Sequence, residues 1–86
     1  MHHNLKILPC FFKAVVKCDK TFEIRKNDDR GFQKGDTVAL EEIEQGVVID
    51  RKTGRAAHVE ITYVTNYGQP QDQVVFSFRV IELFGV

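Results

Sequence analysis

The sequence predicts a mostly β member of the α+β class: a small curved antiparallel sheet or barrel of five to six strands, with one short helix between strands 1 and 2. Three observations carry this. Apolar residues alternate with period two along most of the chain, while a single segment behind Pro9 has helical spacing. Strands and helices do not alternate as a parallel βαβ sheet requires, and a curved or closed sheet also protects its edges. With 86 residues the chain, 1–86, forms one domain, because it is too short to bury two cores of ordinary thickness.

The first strand is expected over His3 to Leu8, with Leu5 and Ile7 alternating against Asn4 and Lys6. Pro9 ends it and opens a helix to Lys17, where Phe12, Val15 and Val16 form an apolar stripe and Lys13 and Lys17 share the wet face. From Lys20 to Arg25 the period returns to two. Phe22 and Ile24 are assigned to the core, and Thr21, Glu23 and Arg25 to the opposite face. Asn27, Asp28, Asp29 and Gly31 are turn formers in a polar loop that Phe32 pins to the body and Gly35-Asp36 closes. The next strand starts at Thr37 with Val38 and Leu40 inward, and runs to Ile49 as one strand or as a strand with a bend at Gly46. Asp50 to Gly54 reads as a hairpin loop, followed by a strand with Val59, Ile61 and Tyr63 on the core face. After a loop over Asn66 to Asp72, the last strand carries Val74, Phe76, Phe78 and Val80. Its parity breaks at Ile81, which predicts either a bulge or a corner that covers both faces of the final residues.

No apolar run approaches the roughly 20 residues of a membrane helix, and no secretory h-region follows the first residues, so a soluble, cytoplasmic protein is the expectation. Cys10 and Cys18 lie eight residues apart on or beside the helix, too far apart to bridge, and are read as free, buried packing residues. The net charge of zero argues against a protein that coats nucleic acid by charge alone. The charge is uneven, however: residues 1–34 carry eight Lys and Arg against four Asp and Glu, and the remainder compensates. A basic flank of this kind can attract an anionic ligand locally, or can simply be a solvated surface.

The run Cys18-Asp19-Lys20-Thr21-Phe22-Glu23-Ile24-Arg25 carries the most chemistry. Glu23 and Arg25 leave one face of a strand two residues apart, and Lys20 precedes it and can turn toward them. A guanidinium oriented by a carboxylate presents its other donors in a fixed plane suited to a phosphate or a base edge. The same spacing also fits a surface salt-bridge ladder, and both readings stand at this level.

Lys20, Glu23 and Arg25 reproduce the spacing of the GxKxxExR signature of ASCH domains, in the PUA-like pseudobarrel superfamily. The run from Asn4-Leu5-Lys6 through Pro9, Lys20 to Asp28, Phe32 and Gly35-Asp36 resembles a compact ASCH-like family of uncharacterised bacterial and phage proteins. In the C-terminal half the likeness is of strand pattern only. Cys18 replaces the signature glycine, so a left-handed backbone there would be strained. The resemblance implies a PUA-like barrel with a cleft beside the helix that binds RNA or a related nucleotide-like anion. On that reading Lys20 and Arg25 contact the ligand, Glu23 orients Arg25, Lys13, Lys17, Lys26 and Arg30 line the approach, and Tyr67 is the stacking candidate.

Some small ASCH proteins are similar to amidohydrolases of acetylated cytidine, which pair a lysine with a threonine three residues later and a distant glutamate. Lys20 matches that lysine, but Glu23 occupies the threonine position, so a Lys20–Glu23 acid/base pair is the form an enzyme would take. His2, His3 and His58 have no metal-ligand spacing, and no cofactor or metal is expected.

Overall fold

The computed structural model describes residues 1–27 and 30–86; Asp28 and Asp29, expected as turn formers, lie outside the described residues. The elements are β1 (His2–Ile7), α1 (Pro9–Val16), β2 (Phe22–Lys26), β3 (Thr37–Glu44), β4 (Arg51–Thr65) and β5 (Gln73–Phe84). The five strands form one curled sheet in the order β1-β3-β4-β5-β2, a half-barrel with the short helix between β1 and β2 in sequence. Three of the four pairings are antiparallel as expected, but β1 and β3 are parallel. The reason is the path of the chain. It leaves β1, crosses through α1 to β2 at the far edge and returns beside β1, and residues 8–36 supply the long crossover that a parallel pair requires.

Strict alternation places His3, Leu5 and Ile7 inside on β1. Pro9 occupies the first turn of α1, and Phe12 and Val15 are buried on the face that meets β3 and β4. The helix ends in a Schellman turn: Cys18 N–H donates to Val15 O at 3.0 Å and Asp19 N–H to Ala14 O at 2.9 Å. Cys18 adopts φ +62°, the left-handed conformation in which glycine would be unstrained. Both cysteines are free, as expected, but exposed rather than buried. Cys10 falls off the Phe12/Val15 stripe, and Cys18 sits in the turn.

Phe32 reaches the core as expected, its ring 4.6 Å from His3 and 5.0 Å from Phe76 between centroids. Asp36 closes the same loop and accepts hydrogen bonds from His3 Nε2 (2.9 Å), the Met1 ammonium (3.1 Å) and Gln33 N–H (3.1 Å). Burial pushes the Asp36 carboxyl up, but these donors outweigh it and hold its pKa below the ordinary value of 3.8.

The hairpin between β3 and β4 turns at residues 45–50, not at 50–54. Gly46 makes that turn possible, because a Cβ there would lie 2.1 Å from Ile49 O. Val47, Val48 and Ile49, expected in a strand, stand exposed at its tip. Gly54, with φ +91°, instead sits in a bulge within β4, where the register slips between Glu41 and Ile43. The bulge lets Thr53 Oγ1 (2.7 Å) and Arg55 Nε (2.5 Å) donate to Glu42, whose side chain would otherwise be a buried, unpaired charge.

Val59 and Ile61 are buried as expected, but Tyr63 is 63% exposed. Ile61 pairs with Phe78 and Tyr63 with Ser77, so Thr62 is an extra residue and the faces exchange beyond it. Val64 then packs on the core in the place expected for Tyr63. A third irregularity pairs His58 with Glu82 and Val59 with Val80, making Ile81 the bulged residue of β5. The bulge matches the parity break. The residues after it are not covered on both faces, since Leu83 and Phe84 remain more than a third exposed.

Candidate functional site

The site lies where the half-barrel stays open, between its edge strands β1 and β2. On β2 the faces are the reverse of those read from the sequence: Glu23 is 4% exposed, while Phe22 and Ile24 are 44% and 48% exposed. Register decides this. Glu23 pairs with Phe76 and Arg25 with Val74, both inward-facing residues of β5, whereas Phe22 and Ile24 sit opposite Ser77 and Val75 on the outer side. A one-residue slip in pairing would have exchanged the two sets. The apolar pattern alone did not determine which would be buried.

Glu23 is therefore an inward-facing carboxylate, and two cations compensate it. Lys20 Nζ contacts Glu23 Oε1, and Arg25 Nε donates to Glu23 Oε2 at 2.8 Å. Side-chain exposure rises from 6% at Glu23 to 17% at Lys20 and 27% at Arg25, so the carboxylate lies beneath and the cations face the opening. Each cation also takes a main-chain carbonyl. Lys20 Nζ donates to Phe22 O at 2.7 Å, and Arg25 Nη2 to Lys6 O at 2.6 Å. The Arg25 bond joins β2 to β1 across the seam, and Arg30 Nη1 makes a longer one to Asn4 O at 3.4 Å. Side chains thus span the two edges.

Around these groups runs an open groove of about 550 Å³, lined by Lys6, Ile7 and Leu8 from β1 and its end, Phe11 from α1, and residues Lys20 and Phe22 to Arg25. Its volume is within the range of small-ligand sites. The Lys20 ammonium lies 5.1 Å from the centroid of Phe22 and 5.6 Å from that of Phe11, within cation–π range of both. Among the described residues no serine, threonine or cysteine lines the groove, and Thr21 is exposed outside it. No group of three or more potential metal ligands occurs among the described residues.

The structure brings Lys20, Glu23 and Arg25 together and leaves the other candidates outside the lining. Lys13 and Lys17 are exposed on and just after α1, Lys26 is exposed at the end of β2, and Arg30 sits on the seam near Asn4. Tyr67 is 89% exposed on the loop between β4 and β5, away from the groove lining. Sequence reasoning missed Phe11, Phe22, Ile24 and Leu8 as walls, and its period-two pattern placed Phe22 and Ile24 in the core. Phe11 carried one usable signal, since it stands off the helical stripe formed by Phe12, Val15 and Val16.

Residues 2–78 match the family model described as a domain of unknown function, DUF3850. The chain belongs to the DUF3850 family. It is also 34% identical over 79 residues to the "uncharacterized 12.9 kDa protein in GpA 3′ region" of Escherichia phage P2, an alignment that covers 92% of this chain and 68% of that protein. The matched span of this DUF3850 domain includes the whole groove, together with β1 to β4 and the first half of β5. No helix among the described residues is long and apolar enough to cross a membrane.

Proposed function

We propose that this DUF3850 domain binds RNA in the groove between β1 and β2, without catalysing a reaction. The observation that carries the reading is the pinned pair of cations: Lys20 and Arg25 are fixed on one buried carboxylate and face an opening walled by Phe11, Phe22 and Ile24. A purely structural ion pair has no need of apolar walls beside it. Unstacked bases in single-stranded RNA need both an aromatic or aliphatic surface and fixed donors. The likeness of Lys20, Glu23 and Arg25 to the ASCH signature, and through it to PUA-like RNA-binding barrels, supports the same reading. The surplus of four positive charges in residues 1–34 would draw a polyanion to this side of the molecule.

Fluorescence anisotropy with single-stranded and hairpin RNA at two salt concentrations tests it. The expected result is binding that weakens with salt and is lost in Arg25→Ala. With few cations at the groove, the salt slope should correspond to no more than about four phosphates. Absence of binding at low salt would remove the proposal.

A further inference from the structure

We infer that the groove reads a nucleobase edge that presents only hydrogen-bond acceptors, the O6/N7 edge of guanine. The inference rests on the RNA-binding reading above and adds the identity of the base. It follows from the donors and acceptors left at the site. Glu23 engages Lys20 through Oε1 and Arg25 through Oε2, and its side chain is only 6% exposed, so it offers the groove no acceptor. The carbonyls of Lys6 and Phe22 already accept from Arg25 and Lys20. What remains on the cations is hydrogen. Arg25 Nη1 has no partner among the described residues, and Lys20 has used two of its three ammonium protons. The remaining lining side chains are Lys6, a further donor, and the apolar Ile7, Leu8, Phe11, Phe22 and Ile24.

A ligand meeting these groups must bring acceptors and a flat apolar face. Phosphate satisfies the donors but gains nothing from the walls. Among the bases, guanine sets two adjacent acceptors, O6 and N7, against a guanidinium; adenine has an amino group beside N7 and N1, uracil has a ring N–H between its carbonyls, and cytosine, whose O2 and N3 are also adjacent acceptors, brings a smaller ring than guanine to the apolar walls. An amino group facing Arg25 leaves donors on both sides without partners, and the cost of that separates guanine from adenine.

The experiment is a titration of the full ¹⁵N-labelled chain with GMP, IMP, 7-deaza-GMP, AMP, CMP, UMP and ribose 5-phosphate, followed at the amides of residues 20–26. GMP and IMP should bind alike, roughly 10-fold or more tighter than AMP, and tighter than CMP by the larger face they lay on the apolar walls. Removing N7 in 7-deaza-GMP should lose most of that advantage. Arg25→Lys, which keeps the charge but not the fork, should abolish the preference. Equal binding of all the nucleotides and ribose phosphate would overturn the guanine inference while leaving RNA binding intact. RNA binding with no nucleotide response at these amides would overturn it as well. Failure of every nucleotide together with failure of RNA binding in the anisotropy assay would instead remove the underlying reading.

Discussion

Arg25→Ala should cost the fold more than an exposed arginine normally would, because the carboxylate it serves is buried. The substitution removes the 2.8 Å bond to Glu23 Oε2 and the 2.6 Å bond to Lys6 O that ties β1 to β2. Breaking a fully buried ion pair costs about 3–5 kcal/mol, and an exposed one about 0–1 kcal/mol. Arg25 is 27% exposed and Lys20 stays on Glu23, which places the loss between these limits, at about 2 kcal/mol. For a domain of this size that is a fall in Tm of about 8–16 °C. Phe22→Ala, expected from sequence to be the more damaging change, should cost only about 1 kcal/mol, since the ring is half exposed over an open groove and leaves no closed cavity. Thermal melts of both variants, with Glu23→Ala and the Glu23→Ala/Arg25→Ala double variant, complete the test. The double variant should fall short of the sum of the singles by at least about 1 kcal/mol. A melt of Arg25→Ala within 2–3 °C of the parent, roughly the change expected for an exposed pair, would refute the reasoning, as would additive single variants.

Three further outcomes follow from the fold. Phe76→Ala should lose about 3–5 kcal/mol, because Phe76 is fully buried at the centre of the aromatic cluster with Phe32 and Phe78; urea unfolding measures it through a lower midpoint at unchanged m-value. Cys18→Gly should raise the Tm, since glycine relieves a left-handed residue at the end of α1 by about 0.5–1 kcal/mol; a lower Tm would mean that the cysteine side chain itself stabilises the turn. Asp36 has a depressed pKa in the folded state, so its contribution to stability is present above the unfolded carboxylate pKa and is lost as pH falls through the folded value. Melts from pH 6 to pH 2 should show an acid loss in the parent that is smaller in Asp36→Asn.

The element order, the helix behind Pro9, the burial of Phe32 and the bulge at Ile81 were legible because each rests on local pattern or turn chemistry. What was not legible depended on register. Tyr63 left the core because Thr62 is an extra residue in β4, and Phe22 exchanged faces with Glu23 because β2 pairs in the register that sets Glu23 beside Phe76. The displaced hairpin has a similar origin. Asp50 to Gly54 has turn composition, yet Thr53 and Arg55 are held in the sheet by buried Glu42, a partner that no local window contains. At the site, the triad was legible from spacing, whereas its apolar walls were not, because period two assigns Phe22 and Ile24 to one face without saying which face is buried.

The inverted strand also explains why the groove exists. A sheet closing into a barrel needs compatible inner faces on its two edge strands, and β1 contributes His3, Leu5 and Ile7 while β2 contributes Glu23 and Arg25. Direct pairing of β1 with β2 would dehydrate the charged cluster further, at a cost of several kcal/mol per unpaired ion. The edges instead stay apart, and Arg25 spans them through the Lys6 carbonyl. That contact protects the β1 edge and fixes the guanidinium in the opening. Replacing the triad with apolar residues would favour a better-closed barrel and would remove the donors from the groove. Retention of charge on the inner face of β2 is thus a local departure from core patterning, of the kind expected where a surface is kept for binding.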